Sequence, residues 1–239
     1  YQAAHRLHDT ALLLKVHPSN YKISGFTEEA SDEALSSVGP PIIADLGSGF
    51  IDEACHWLHD GRPSWLRDEP AVKQTLQSGA ALVTFSCDKL FGGPQAGVIA
   101  GRKDLIETCA KHPLMRAVRP GALVLNALQE TALAYLRRDG DAIPFWRMAQ
   151  TPVAELETRA QSLGVGNPIS TMSMTGGGSL PGEEFPSAGI EIEGDVSKEL
   201  RNAQVPVIAR VRDQSTILDL RTVHPDDDAA VAKAIASAI

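Results

Sequence analysis

Short apolar runs separated by turn clusters set the pattern of the first half of the chain. Residues 11–16 (ALLLKV) stop at His17-Pro18-Ser19-Asn20, 41–45 (PIIAD) at Leu46-Gly47-Ser48-Gly49, and 81–86 (ALVTFS) at Cys87-Asp88-Lys89. Brief apolar runs bounded by Gly, Pro, Asn and Asp read as buried strands. A fourth run, 97–101 (GVIAG), follows the turn LFGGPQ at 90–95. Helical stretches alternate with these strands. Thr27 with Glu28 and Glu29 reads as an N-cap and acidic first turn of a helix reaching Ser37. Stretches 71–78 and 102–111 also read as helices. In 120–138, Leu123, Leu125, Leu128, Ala132, Leu133 and Leu136 recur near the helical period. Residues 60–70 mix Pro, Gly and charge and read as an exposed loop. Strands alternating with helices predict an α/β unit around a mostly parallel sheet.

The pattern changes after the polar break at 137–141 (RRDGD). Residues 144–163 read as one long helix despite Pro152. Strands at 170–174, 187–192, 205–211 and 217–220 then mix with helices at 196–203 and 225–239. This is the layout of a smaller α+β domain, with the long helix as connector. The expected domains are therefore 1–140 and 141–239.

Composition narrows the class. With 239 residues, 43 % hydrophobic and 22 % charged, the chain has enough apolar material for a sizeable core, which excludes disorder. Twenty-two Lys+Arg against 30 Asp+Glu leave a net charge of −8, which argues against wrapping nucleic acid with the whole surface. Three cysteines (Cys55, Cys87, Cys109) make no disulfide framework and suit a cytoplasmic, reducing location. No run of about eighteen apolar residues predicts a membrane span, and with no charged-then-apolar stretch no secretion signal is expected; the first residue, Tyr1 rather than Met, fits the carboxyl part of something longer.

Parallel sheets collect ligands at the carboxyl ends of their strands. Three strands here stop near His17, Asp45 and Lys89. A lysine amine and a carboxylate at neighbouring strand ends are the pair a pyridine aldehyde needs. The amine forms the Schiff base, and the carboxylate pairs with the pyridinium nitrogen. Gly47, Ser48, Gly49, Ser86, Gly92 and Gly93 are small or hydroxylated, which suits close approach of backbone amides to a phosphate. Taken alone, a DxGSG stretch and a DK dipeptide each occur by chance, and an Asp after a strand is more often an ordinary turn or helix cap. His56 and His59 have a spacing a metal can use, but no third ligand is well placed, so no metal site is expected. Gly176-Gly177-Gly178-Ser179 reads as a hairpin or interface loop, because no lysine-bearing helix follows. Trp57, Trp65 and Trp146 are too scattered for a base-stacking platform and read as core or interface.

The run TFSCDKLFGGPQAG at 84–97 resembles the cofactor-lysine segment of bacterial selenocysteine synthase, the L-seryl-tRNA(Sec) selenium transferase family of fold-type-I enzymes. HPSNYKISGFTEE at 17–29, ADLGSGFID at 44–52, HPLMRAVR at 112–119, GGGSLPGEEFPSAGIEI at 176–192 and PVIARVRDQSTILDLRTV at 206–223 agree, in the family's order. The resemblance implies part of a fold-type-I large-domain sheet plus a small carboxyl-terminal domain, with pyridoxal 5'-phosphate as cofactor. It implies Lys89 as the cofactor lysine, Asp88 as its acidic catalytic neighbour and Asp45 as partner of the ring nitrogen. Ser48, Ser86, Gly92, Gly93 and His17 would complete the cofactor site. Arg116 and Arg119 would hold the selenium donor, selenophosphate; three apart on a helix, they would share a face.

The substrate implied is seryl-tRNA(Sec), converted by β-elimination and selenium addition in a homo-oligomer built from dimers. Two departures stand out: Cys87 replaces a glycine, and Ala122 replaces a lysine found in some relatives. Only some forty residues precede Asp45, so the chain is expected to be the carboxyl part of the enzyme. Its tRNA grip would come mainly from an absent amino-terminal domain. The competing readings are a pyridoxal-phosphate lyase acting on a small amino acid or amino sugar acid, and a non-catalytic assembly partner.

Overall fold

The computed structural model describes residues 1–239 apart from Ser24, Thr27 and Glu29. The chain divides into two compact units, one of Tyr1–Trp146 with Gly176–Gly182, the other of Arg147–Thr175 with Glu183–Ile239. The first unit runs α1 (Gln2–Leu7), β1 (Leu13–Val16), α2 (Asp32–Ser36), β2 (Ile42–Gly47), α3 (Val72–Gln77), β3 (Leu82–Ser86), β4 (Gly97–Gly101), α4 (Lys103–Lys111), α5 (Leu114–Ala117) and α6 (Ala122–Arg137). Helix α7 (Pro144–Gln150) begins in the first unit and ends in the second. The sheet order is β1-β2-β3-β4, with β1, β2 and β3 parallel and β4 antiparallel to β3. This is the mostly parallel α/β arrangement expected from the alternating pattern.

Strand alternation decides what each face of this sheet carries. Leu13, Ile42, Ala44, Leu46, Val83 and Phe85 point to one side and form a core with Leu35 of α2 and Val72 of α3. Register places Val16 beside Asp45, Asp45 beside Thr84 and Thr84 beside Ile99, so these four share the opposite face. That second face is only half covered. Leu14 and Val16 are more than half exposed, so β1 is not the buried strand its apolar run suggests.

Other expectations are corrected by local chemistry. The helix read from Thr27 starts at Asp32, with the Ser31 hydroxyl accepting the Ala34 amide at 3.1 Å; Thr27 itself lies outside the described residues. Residues 60–70 are not simply an exposed loop. They contain a 3-10 turn, Ser64–Leu66, whose Leu66 is fully buried, and the Arg62 guanidinium donates to the Leu66, Arg67 and Glu69 carbonyls. The long helix 144–163 is two helices, α7 and α8 (Val153–Ser162), parted at Thr151-Pro152. Proline has no amide hydrogen and pushes the preceding residue out of the helical region. In α6, Leu123, Leu125 and Leu136 are exposed while Leu128 packs against the sheet's core, so only part of the apolar row read from the sequence is buried in this chain.

The second unit adds β5 (Asn167–Met174), β6 (Glu184–Glu193), α9 (Ser197–Arg201), β7 (Arg210–Arg212), β8 (Ser215–Asp219) and α10 (Asp228–Ala238). Its sheet is wholly antiparallel, in the order β5-β6-β8-β7. The strand read over 205–211 shrinks to the three residues of β7, an edge strand; upstream of it the Val207 amide donates to the Leu200 carbonyl rather than to a ladder. Leu156 and Ala160 of α8, Ala188, Ile190 and Ile192 of β6, Leu200, and Val231, Ala234 and Ile235 of α10 form one core. Arg221, 5 % exposed, donates to the Met148, Ala149 and Thr151 carbonyls at the end of α7 and to the Pro186 carbonyl at 2.7 Å. It satisfies carbonyls that a helix end leaves without intrahelical partners.

Candidate active site

The parallel strands of the first unit deliver three loops to one edge. His17 follows β1, and its amide donates to the Asp45 carbonyl at 2.8 Å, tying that loop to β2. Its imidazole faces the buried Glu69 carboxylate at 3.5 Å. Glu69 is 3 % exposed, and its Oε1 has no hydrogen-bond partner.

Asp45 lies within β2 rather than at its end. Its Oδ1 accepts the Thr84 hydroxyl at 2.9 Å from the neighbouring strand. After Asp45 the chain turns through Gly47, at φ +70°, into Ser48, which is fully buried with an unpartnered Oγ. A buried hydroxyl without a partner is costly, and at a strand end beside Lys89 it suits an added polar ligand.

Lys89 sits in the turn that follows β3. The Leu90 amide donates to the Ser48 carbonyl at 2.8 Å, so this turn is pinned to the Gly47–Ser48 turn. The Leu90 and Phe91 carbonyls accept the Tyr135 hydroxyl at 3.3 and 3.0 Å, and the Trp146 indole N–H donates to that same hydroxyl at 2.7 Å. The scattered tryptophans converge here. Trp57 packs edge-on against Tyr135 at 4.8 Å between ring centres, and Trp146 lies 5.5 Å from Trp57 and 6.3 Å from Trp65. Trp57 and Trp146 are core, which the sequence left open against an interface role, while Trp65 is half-buried.

The amine of Lys89 lies near both Gly47 and Gly178. A Cβ placed on Gly47 would stand 3.8 Å from Nζ and 2.5 Å from the Ser19 Oγ; one on Gly178 would stand 3.1 Å from Nζ. The end of Lys89, Gly47, Gly178 and the Ser19–Asn20 loop thus come together, with Asp45 two residues before Gly47 in β2. Asp88 is exposed, and Ser86 is half-buried on the Thr84 side of β3.

Gly92 and Gly93 do not offer free amides to a phosphate, as their composition suggested. The Gly92 N–H donates to the Lys89 carbonyl at 2.9 Å and the Gly93 N–H to the Cys87 carbonyl at 2.7 Å. They shape the lysine's turn.

Arg116 and Arg119 are both exposed, but they do not share a helix face. α5 ends at Ala117, and Arg119 precedes Pro120, which disfavours helical backbone at that residue. Their neighbours Met115 and Val118 line a cavity of about 490 Å³ that reaches Asp45, Thr84 and Ser86. A second cavity, about 240 Å³, meets Asp45 from the side of His17, Lys15 and Asp68. In the second unit, Arg210 donates to the Thr171 hydroxyl and the Met172 carbonyl.

Several of these residues were given no role by the sequence. Thr84 and Ser19 lie in the quoted runs 84–97 and 17–29, but the role of Thr84 is legible only as the cross-strand neighbour of Asp45. Glu69 and Tyr135 have no spacing signal, because each arrives from a separate loop or helix. Among the described residues no group of three or more His, Cys, Asp or Glu is placed to hold a metal ion, and no helix is long and apolar enough to cross a membrane.

Burial pushes the Cys87 thiol up to about 11, helped by the adjacent Asp88 charge, and burial pushes Cys55 up to about 12. The thiolate is the reactive form. Iodoacetamide at pH 8 is therefore expected to modify the half-buried Cys109 and to leave Cys55 and Cys87 untouched until urea unfolds the chain. Peptide mass mapping reads the order.

The family model described as SelA, L-seryl-tRNA selenium transferase, matches residues 1–224. The L-seryl-tRNA(Sec) selenium transferase of Moorella thermoacetica is 40 % identical over an alignment that covers 97 % of this chain and 53 % of the relative. That of Geobacter metallireducens is 39 % identical, covering 95 % and 53 %. The chain thus spans about half the length of the curated relatives it matches. The solved structure of D-glucosaminate-6-phosphate ammonia-lyase superposes with a TM-score of 0.57 at 22 % identity, over 96 % of this chain and 57 % of that one. That likeness concerns the fold, which is the mixed α/β fold of the fold-type-I enzymes. The sequence match is of another order, and on it the chain belongs to the L-seryl-tRNA selenium transferase family.

Proposed function

We propose that this chain supplies the lysine-bearing part of a pyridoxal 5'-phosphate-dependent L-seryl-tRNA(Sec) selenium transferase that takes selenium from selenophosphate. Residues 1–140 would belong to the cofactor-binding large domain and 141–239 to a connector and small domain. The observation that carries this reading is the meeting of Lys89 with the β2 turn. The lysine's amine lies beside Gly47, two residues beyond Asp45, and the turn after it is pinned to Ser48, whose buried hydroxyl has no partner.

These residues fit the cofactor. Lys89 would hold its aldehyde carbon, Asp45 the ring nitrogen, and the Ser48 and Ser86 hydroxyls its polar substituents, with His17 on the remaining side. Bound there, pyridoxal 5'-phosphate supplies an electron sink that makes the seryl Cα proton removable and the β-hydroxyl expellable. Lys89 Nζ would be the base that takes the seryl Cα proton. Asp45, whose Oδ1 accepts the Thr84 hydroxyl, would be the partner of the ring nitrogen. Asp88, exposed beside Lys89, faces incoming substrate. Arg116 and Arg119 present positive charge next to the cavity that reaches Asp45, and an arginine fork matches the oxygens of a phosphate-like anion.

Large exposed apolar side chains at Leu114, Val118, Leu123 and Leu136 support a homo-oligomer built from dimers. The cytoplasm is the compartment proposed, where seryl-tRNA is present.

The test is conversion of seryl-tRNA(Sec) by the full-length protein, with free serine and small amino acids as competitors. Arg116→Glu is expected to raise the concentration of selenophosphate needed by about tenfold or more while leaving cofactor absorbance unchanged, as loss of a charge-assisted anion contact should. Turnover of free amino acids with no demand for tRNA would overturn the assignment.

A further inference from the structure

We infer that Gly178 is a positioning residue for the Lys89 amine: the side chain it lacks is the space in which the end of the lysine lies. The inference rests in part on the reading of Lys89 as the cofactor lysine. The hairpin loop Gly176–Gly182 between β5 and β6 groups with the first unit, and Gly178 is where it meets the lysine. A Cβ on Gly178 would stand 2.7 Å from Lys89 Cε, 3.1 Å from Nζ and 3.2 Å from the Asn20 Oδ1. Carbon atoms rest against each other at about 3.5–4.0 Å, so a methyl there requires movement. The neighbour that gives way is the far end of a flexible lysine rather than backbone. The consequence is therefore a displaced amine more than a broken fold.

From the other side Gly47 leaves 3.8 Å between its own Cβ position and Nζ. The amine therefore lies close to two glycines on separate loops, both with left-handed backbone, φ +70° at Gly47 and +86° at Gly178. Two close neighbours without side chains fix the direction of an otherwise mobile four-carbon arm, and they do it without adding a competing hydrogen bond. An amine that must attack one carbonyl carbon gains most from that restriction.

The same loop contains its own control. Gly176 has φ +94° with nothing within 4 Å of its Cβ position, so alanine there meets the left-handed penalty without touching the lysine.

The experiment compares Gly178→Ala with Gly176→Ala in the full-length protein by two readouts. The first is the apparent affinity for pyridoxal 5'-phosphate, from the absorbance of the lysine-bound form. It is expected to weaken about tenfold or more for G178A and less than about twofold for G176A, since misplacement by an ångström can cost that much. The second needs no cofactor: the rate of reductive methylation of Lys89 by formaldehyde, followed by mass mapping, should change in G178A alone. Should G178A melt lower than G176A, the excess must disappear in the K89A background. Equal effects of the two alanines in both readouts, or an excess melting loss that survives in K89A, overturns the inference. A wild-type adduct on another lysine would overturn the cofactor reading instead, and the methylation comparison would still decide the role of Gly178.

Discussion

Asp45→Asn in the full-length protein is expected to lower the rate of selenocysteinyl-tRNA formation by about 100-fold or more, the usual scale for removing one preorganised charge from a reacting centre. Asparagine keeps the size of the side chain and can still accept the Thr84 hydroxyl, now at 2.9 Å, through its amide oxygen. What it loses is the negative charge, so the substitution isolates electrostatics from packing. Thr84→Val is the graded companion. It removes the hydroxyl that steadies Asp45 and leaves the charge in place, so its loss in rate should be clearly smaller. A full-rate D45N enzyme would mean that Asp45 is a structural residue of β2.

The largest stability effect is expected in the second unit, at Arg221. Arg221→Leu removes a guanidinium that is 5 % exposed and donates to four backbone carbonyls, three of them at the end of α7. Leucine fills part of the volume, yet the carbonyls remain buried without donors, each costing about 1–3 kcal/mol. A net loss of about 3 kcal/mol or more follows, read as an earlier midpoint in urea with an unchanged slope. Lysine should not rescue it, because one ammonium cannot span the positions that a planar fork reaches. Burial also pulls the Arg221 pKa below its ordinary value, but a guanidinium starts so high that it remains charged at neutral pH.

The strands of the first unit were legible because short apolar runs ended in turn residues, and β2, β3 and β4 lie within two residues of where the pattern puts them. The pattern misjudged environment more than location. β1 and α6 carry apolar residues that this chain alone does not bury, so a rule equating apolar with buried fails there. Proline decided one other difference: Pro152 split one helix into two.

At the site, Lys89 was readable as strand-end chemistry joined to a motif, while Asp45 lies inside β2. Thr84 and Gly178 fall in runs the resemblance covers but were given no role by it. Glu69 and Tyr135 reach this region by tertiary placement, with no motif to mark them. Gly92 and Gly93 show the reverse error: their composition suits a phosphate cradle, while their amides are spent on the turn beneath Lys89.

The most direct measurement incubates the full-length protein with pyridoxal 5'-phosphate, reduces it with borohydride, and maps the added mass by peptide. The mass belongs on the peptide containing Cys87-Asp88-Lys89-Leu90, at the lysine, and should vanish in K89A. Stable labelling of Lys15 or Lys22 instead, or an unlabelled wild-type chain, would contradict the assignment of Lys89.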